Sequence, residues 1–305
     1  MKKKSFATAL SLSFILLLSP LLTSTASAHW EFHDQLGQYL FGYTGVEDAY
    51  EYESEVARNH IKTNVTTLSS EWTTSLGPAI DQHNGAGNKV AIYLDNILFQ
   101  SATPAWYLRP DYRYIFDSWY NRNKLYLTSN RVAFLIISSE ANNARLTNAA
   151  IDEATAYVKS KIPAIPTVVG YGFGAGAVDI SGQALPVQPD GFAFWQYAVL
   201  HPESPTSTFQ YWLNYFKTHI NVARQRLIIV FDAHFGPWHI DAHITQEMLG
   251  DMAIRYANIA HSEPLVVGMV GFTWQGFGDV LGLRDVTQSV RDQNRAASCI
   301  LLPCS

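Results

Sequence analysis

Eight apolar, β-rich runs alternating with helical stretches, a single composition regime along the chain, and polar residues closing several of the runs predict an α/β fold, a single (β/α)8 barrel. The repeating unit is clearest at residues 132–173. There an apolar run ends in Glu140, a helical run follows, and a second apolar run passes through Tyr171. A continuous apolar strand bounded by polar residues is buried on both faces, and a helix joining two such strands implies parallel pairing. A doubly wound open sheet is the alternative, but it usually has fewer strands and requires a switch point.

Taken in order, residues 36–45 form the first strand, and the helical run 47–60 places Ala49, Tyr52, Val56 and Ala57 on one stripe. Residues 61–71 form the second strand, with Ser69 or Ser70 expected to cap a helix running towards Asp81, which HNGAGN breaks. The third strand, 89–99, places Asp95 near its carboxyl end. An aromatic segment then covers the barrel or walls a cleft before the fourth strand at Val132. Asn148 to Lys161 repeats apolar residues at helical spacing until Pro163 and Pro166 stop it. The fifth strand ends at Phe173, and the stretch 174–190, where a helix belongs, reads as a loop. Strands at 191–199, 226–236 and 265–277 complete the set, with helices over 207–224, 245–261 and 284–296.

The first 28 residues are set apart from this pattern. Lys2, Lys3 and Lys4 precede an apolar run, and Ala26-Ser27-Ala28 supplies a small-residue cleavage site. The expectation is a secretory signal peptide over 1–28 and a barrel domain over 29–305, secreted or periplasmic and free of the membrane once cleaved. Pro20 and the small polar residues keep the leader shorter than a comfortable membrane span. The whole chain carries a formal charge of −5, and losing the three leader lysines takes it to −8, which excludes an electrostatic attraction to nucleic acid or anionic membrane. Cys299 and Cys304 are the only cysteines; they are too few for a disulfide scaffold or a thiolate metal site, and a small terminal loop is the bond they could close.

In a barrel of this kind the site lies at the carboxyl ends of the strands. Those ends are Tyr43, Ser70 or Glu71, Asp95, Glu140, Tyr171, Gln196, Asp232 with His234, and Trp274 with Gln275. Acids, amides and aromatic rings are the inventory of a carbohydrate site, because rings stack on sugar faces while carboxylates and amides bind hydroxyls. Glycoside hydrolysis needs two carboxylates, one to protonate the leaving oxygen and one to attack or to activate water. Glu140 and Asp232, expected across the mouth from each other, are the candidate pair. Asp95 is the substitute. Tyr43, Asp95, Tyr171, Gln196, His234, Trp274 and Gln275 are candidate substrate contacts, and the scheme calls for no cofactor.

The segments ISSE ending in Glu140, VFDAH around Asp232 and FTWQ around Trp274 resemble the glycoside-hydrolase-like (β/α)8 barrels. Many families of that group carry an acid/base Glu after strand four and a carboxylate nucleophile after strand seven. The resemblance implies those roles for Glu140 and Asp232, and for Trp274 a place under a sugar ring. The group commonly has Asn before the strand-four Glu and Glu on strand seven; here Ser139 and Asp232 stand there. Two other functions fit the same residues. One is a secreted barrel without catalysis that binds carbohydrate or a protein partner. The other is metal-dependent hydrolysis through His234, His239, Asp241 and His243, although Gly236-Pro237 makes that run a loop.

Overall fold

The eight expected strands all form, and they close on themselves. In the computed structural model, which describes residues 39–304, the barrel strands are β1 (Leu40–Tyr43), β2 (Val65–Leu68), β3 (Lys89–Tyr93), β4 (Val132–Ser138), β5 (Thr167–Phe173), β6 (Gly191–Gln196), β7 (Arg226–Asp232) and β8 (Val266–Phe272). Each is hydrogen-bonded to its sequence neighbours in parallel, and β1 pairs with β8 to seal the ring, Leu40 facing Gly268. The expected leader over 1–28 lies outside the described residues. Among those residues no helix is long and apolar enough to cross a membrane.

The continuous burial of β4 and β5 has two sources, because alternate residues meet different cores. Phe134, Ile136, Val168, Ile228 and Val270 point into the barrel with Leu40 and Val65. Leu135, Ile137, Val169, Tyr171, Phe192, Phe194 and Phe231 point outwards and pack under the helices in a much larger cluster. Burying an apolar side chain of this size stabilises by roughly 1.5–3 kcal/mol, so the outer layer carries most of the hydrophobic stabilisation.

Nine helices cover the described barrel: α1 (Ala49–Arg58), α2 (Gly77–Gly85), α3 (Asp95–Leu98), α4 (Tyr112–Asn123), α5 (Asn148–Lys161), α6 (Thr208–His219), α7 (Pro237–Asp241), α8 (Gln246–Ser262) and α9 (Gln288–Leu301). The ends of α5 have clear causes. The Thr147 hydroxyl accepts from the Ala150 N–H, Lys159 and Lys161 face the negative end of the dipole, and Ile151, Ala154, Thr155 and Val158 form its buried face. Between β5 and β6 the chain is loop, as the sequence indicates. Cys299 and Cys304 are joined as a disulfide across a Cα separation of 5.2 Å at the end of α9.

Two local expectations are corrected. Neither Ser69 nor Ser70 caps a helix: α2 starts at Gly77 with Pro78 in its first turn, and the Ser70 hydroxyl instead accepts from Trp119 Nε1 at 2.6 Å in the core. HNGAGN does break this helix, as the sequence indicates: α2 ends at Gly85 with Ala86 as its cap, and His83 in its last turn is held by Glu53 at 2.5 Å. Finally, β3 and β8 end at Tyr93 and Phe272 rather than at 99 and 277. Past those points α3 begins, and residues 273–285 fold back so that Leu281–Gly282 pairs with His234–Phe235.

Candidate active site

The carboxyl ends of the strands surround a cavity of about 1190 Å³ whose floor is the barrel interior, at Phe134, Ile136, Ile228, Val230 and Val270. Four acids line it: Glu47, Asp95, Glu140 and Asp241. A second cavity of about 420 Å³ lies alongside and shares Glu140, Phe173, Trp195 and Tyr197 with the first. Glu140 therefore stands where the two meet.

Glu140 follows β4 with only Ser139 between them, and its side chain is exposed. Its loop is fixed from below, the Ala141 N–H donating to Gly170 O at 2.9 Å and the Ala144 N–H returning to Glu140 O at 2.8 Å. Asp95 opens α3 and is tied to the same loop: its Oδ1 accepts from the Ser139 N–H at 2.6 Å and from the Ser139 hydroxyl at 3.0 Å. Burial raises the Asp95 carboxyl above the usual carboxylate range, and the two Ser139 bonds pull against that rise. Ser139, which in the sequence is only a departure from the common Asn, is the residue that connects Asp95 to Glu140.

The sign of the Asp95 shift gives a prediction. A carboxyl whose folded pKa is raised stabilises the fold below its unfolded pKa, and that contribution is lost as pH rises through the folded value. At pH 7 the buried Asp95 carboxyl is thus a burden on stability. An Asp95→Asn variant keeps an acceptor for Ser139 without the buried charge, so its urea midpoint at pH 7 is expected to be equal to or higher than that of the unchanged protein. The gain is expected to shrink towards pH 4. A lower midpoint at pH 7 would show that the charge itself is needed by the fold.

Much of the cavity wall is aromatic. On β6 the inward residues are Ala193 and Trp195, and Tyr197 follows beyond the strand; the Trp195 ring lies over Gly170 and Gly172 of β5. A Cβ at Gly172 would come within 2.7 Å of Trp195 Nε1, so that glycine makes room for the indole; a Cβ at Gly170 would meet Ser139 O at 2.2 Å first and the indole at 3.1 Å, so that glycine makes room for both. Tyr197 stacks beside Trp195 with centroids 6.4 Å apart and on Phe272 at 5.7 Å. Trp106, from the hairpin Phe99–Ala102 and Ala105–Leu108, and Trp238, from α7, complete the lining. Burial raises the Tyr197 phenol well above its usual value, and the charges of Asp232 and Glu140 add to this.

Asp232 does not line the cavity. Its carboxylate is 1% exposed, with Oδ1 accepting from His239 Nε2 at 3.0 Å and Oδ2 from the Ala198 N–H at 3.1 Å. The Gly236 N–H donates to His239 Nδ1 at 3.1 Å, which puts the imidazole proton on Nε2, facing Asp232. His234 is also fully buried: its Nδ1 meets Phe272 O, its Nε2 lies 3.9 Å from Asp232 Oδ1, and burial lowers its pKa against the pull of Asp232. Asp232, His234 and His239 are the one cluster among the described residues with metal-ligand spacing; Asp241 and His243 are not in it. The proton on His239 Nε2 occupies the nitrogen that would have to bind the ion, so these residues suit an anchored carboxylate better than a metal site.

Of the other expected contacts, Gln196 lines the cavity. Gln275 reaches it indirectly, its Oε1 accepting from the N–H of the lining residue Glu47 at 2.8 Å. Tyr43, Tyr171 and Trp274 do not reach it. Tyr43 is fully buried and donates to Asn294 Oδ1, and Tyr171 packs on Phe192 and Phe216 outside the barrel. Trp274 is 1% exposed, lies against Tyr43 and Tyr52, and donates from Nε1 to Glu55 Oε2 at 2.7 Å. These three residues have the outward parity of their strands or lie in the loop beyond, where the helices cover them. The sequence reading missed Trp195, Tyr197, Trp106, Trp238 and Phe272. A signal was present in the period-two alternation of β6 set against the inward glycines of β5.

No family model matches this chain, and no curated protein matches it by sequence. Solved structures share its fold. Xylanase 10B of Thermotoga maritima superposes with a TM-score of 0.55 at 12% identity, over 88% of this chain and 96% of that one. Saccharomyces cerevisiae Gas2p in complex with laminaripentaose gives 0.57 at 11%, over 88% and 66%. Bifidobacterium dentium β-glucuronidase complexed with a coumarin glucuronide gives 0.57 at 10%, over 86% and 46%. The chain thus spans about half the length of that glucuronidase and about two thirds of Gas2p. The fold shared with these structures is the (β/α)8 barrel, at identities that assign no family.

Proposed function

We propose that this chain hydrolyses a polysaccharide or oligosaccharide, with Glu140 as the general acid/base. The observation that carries the reading is the position of Glu140: an exposed carboxyl after β4, on a loop fixed to β5, where two cavities meet and Trp195 lines both. A sugar chain lying across both cavities would have a glycosidic oxygen beside that carboxyl, with a ring against Trp195. Neighbouring structures that share the fold and carry bound oligosaccharide support the choice of substrate class.

Asp95 is the second carboxylate in this proposal. It lines the cavity, is tied to the Glu140 loop through Ser139, and burial raises its pKa, which favours its holding a proton more than an exposed carboxylate does. The role expected for Asp232 passes to Asp95 because both Asp232 oxygens are already held and its carboxylate is closed off from the cavity. Asp232 serves as the charged anchor of the β6–β7 wall: it fixes Ala198, next to Tyr197, and His239, next to Trp238. Secretion remains part of the proposal through the leader, and the sugar is taken up outside the cytoplasm.

The mature protein, incubated with a panel of plant, fungal and bacterial polysaccharides including peptidoglycan, is expected to release reducing ends from at least one of them. Sugar binding without release from any member would instead favour the non-catalytic carbohydrate-binding barrel.

A further inference from the structure

The smaller cavity contains a feature that hydrolysis of a neutral sugar does not require. Arg145 lines it, exposed, and is the only cationic side chain lining either cavity among the described residues. It takes part in no ion pair there, whereas most other arginines of the barrel do or bond to backbone carbonyls. Its backbone is left-handed, with φ 53°, a conformation that costs a side-chain-bearing residue roughly 1–2 kcal/mol and that glycine or asparagine adopts more easily.

The loop does not leave that geometry to chance. Asn142 Nδ2 donates to Gly172 O at 2.7 Å and to Val178 O at 3.1 Å, while its Oδ1 accepts from the Gly172 N–H. The Val178 N–H donates to Asn143 Oδ1 at 3.2 Å, and the Trp106 N–H to Ala144 O at 2.8 Å. Three neighbours in the chain thus bind three separate parts of the wall and hold the residue after them in place. Opposite lies Gly174-Ala175-Gly176-Ala177, where a Cβ added at either glycine would meet no atom within 4 Å.

We propose that the smaller cavity is a subsite for a carboxylated sugar residue, a uronic acid, whose carboxylate is received by Arg145; this deepens the carbohydrate reading of the same site and rests on it. A guanidinium presents paired N–H donors that match a carboxylate in a way a lysine ammonium does not. Among the described residues Glu140 is the only acid lining this cavity, so without Arg145 an anionic sugar would meet repulsion alone, and the chain's net negative charge offers no other help. Open space, a rigid loop and one unpaired cation together describe a receptor for one anionic group on a ring.

The test measures binding of methyl β-D-glucuronide, methyl β-D-glucoside and glucose 6-sulfate by ligand-observed NMR, with the full chain. The unchanged protein is expected to bind the glucuronide roughly tenfold more tightly than the glucoside and than the sulfate, the gain of a charge-assisted paired contact. Arg145→Gly relieves the left-handed backbone, so its melting temperature should not fall, yet the preference should disappear; Arg145→Lys should keep only part of it. Equal binding of glucuronide and glucoside, or a preference that survives in Arg145→Gly, overturns the inference and leaves the carbohydrate reading standing. Equal binding of glucuronide and sulfate also overturns it, because the site would then read charge and not a carboxylate. If none of the three binds, the inference and the carbohydrate reading fall together.

Discussion

Glu140→Gln is expected to lower turnover by about 10³-fold while leaving the fold unchanged, because positioned proton transfer contributes typically 10²–10⁴-fold and an amide cannot supply it. The side chain is exposed, and no described residue hydrogen-bonds to its carboxyl, so the change in unfolding free energy should stay within about 0.5 kcal/mol. The loop conformation depends on backbone bonds to Gly170 and Ala144, which the substitution does not touch. Oligosaccharide affinity should therefore stay within a few-fold while reducing-end release is lost. Loss of affinity together with rate would mean that Glu140 binds sugar hydroxyls rather than transferring a proton.

Asp232→Ala is expected to act the other way, mainly on stability. The substitution strands the His239 Nε2–H and the Ala198 N–H inside the protein with no acceptor, each costing roughly 1–3 kcal/mol. A total of about 3–5 kcal/mol follows, visible as a lower urea midpoint. Asp232→Asn should lose less, since its oxygen can still face His239 while its amide opposes the Ala198 N–H. In that variant turnover should fall far less than in Glu140→Gln, because the anchor is weakened and the reacting carboxyl is intact. Full loss of turnover in a well-folded Asp232→Asn variant would return Asp232 to the catalytic pair.

The barrel was legible because its signal repeats: runs such as VAFLIIS and TVVGYGF, almost wholly apolar, have no other economical reading beside intervening helices. The position of Glu140 followed from the same signal. Which strand-end residues face the cavity was harder, since it depends on parity and on what crosses from neighbouring strands. Tyr43 and Tyr171 are at the right height on the barrel with the wrong orientation. Trp195 and Tyr197 have the right orientation, but their importance depends on Gly170 and Gly172 of the adjacent strand, a pairing set by register and not by proximity in sequence. Asp232 has the inward parity of Ile228 and Val230, yet His239, seven residues on, closes it off through a turn whose hydrogen bonds no periodicity describes.

The most direct measurement is a crystal structure of the Glu140→Gln variant with an oligosaccharide from the substrate panel. The expected result is a sugar chain spanning both cavities, with a glycosidic oxygen about 2.6–3.2 Å from the side chain of residue 140, the reach of a general acid, and a ring against Trp195. A chain bound away from that side chain, or lying in a groove on the outer surface of the barrel, would contradict it.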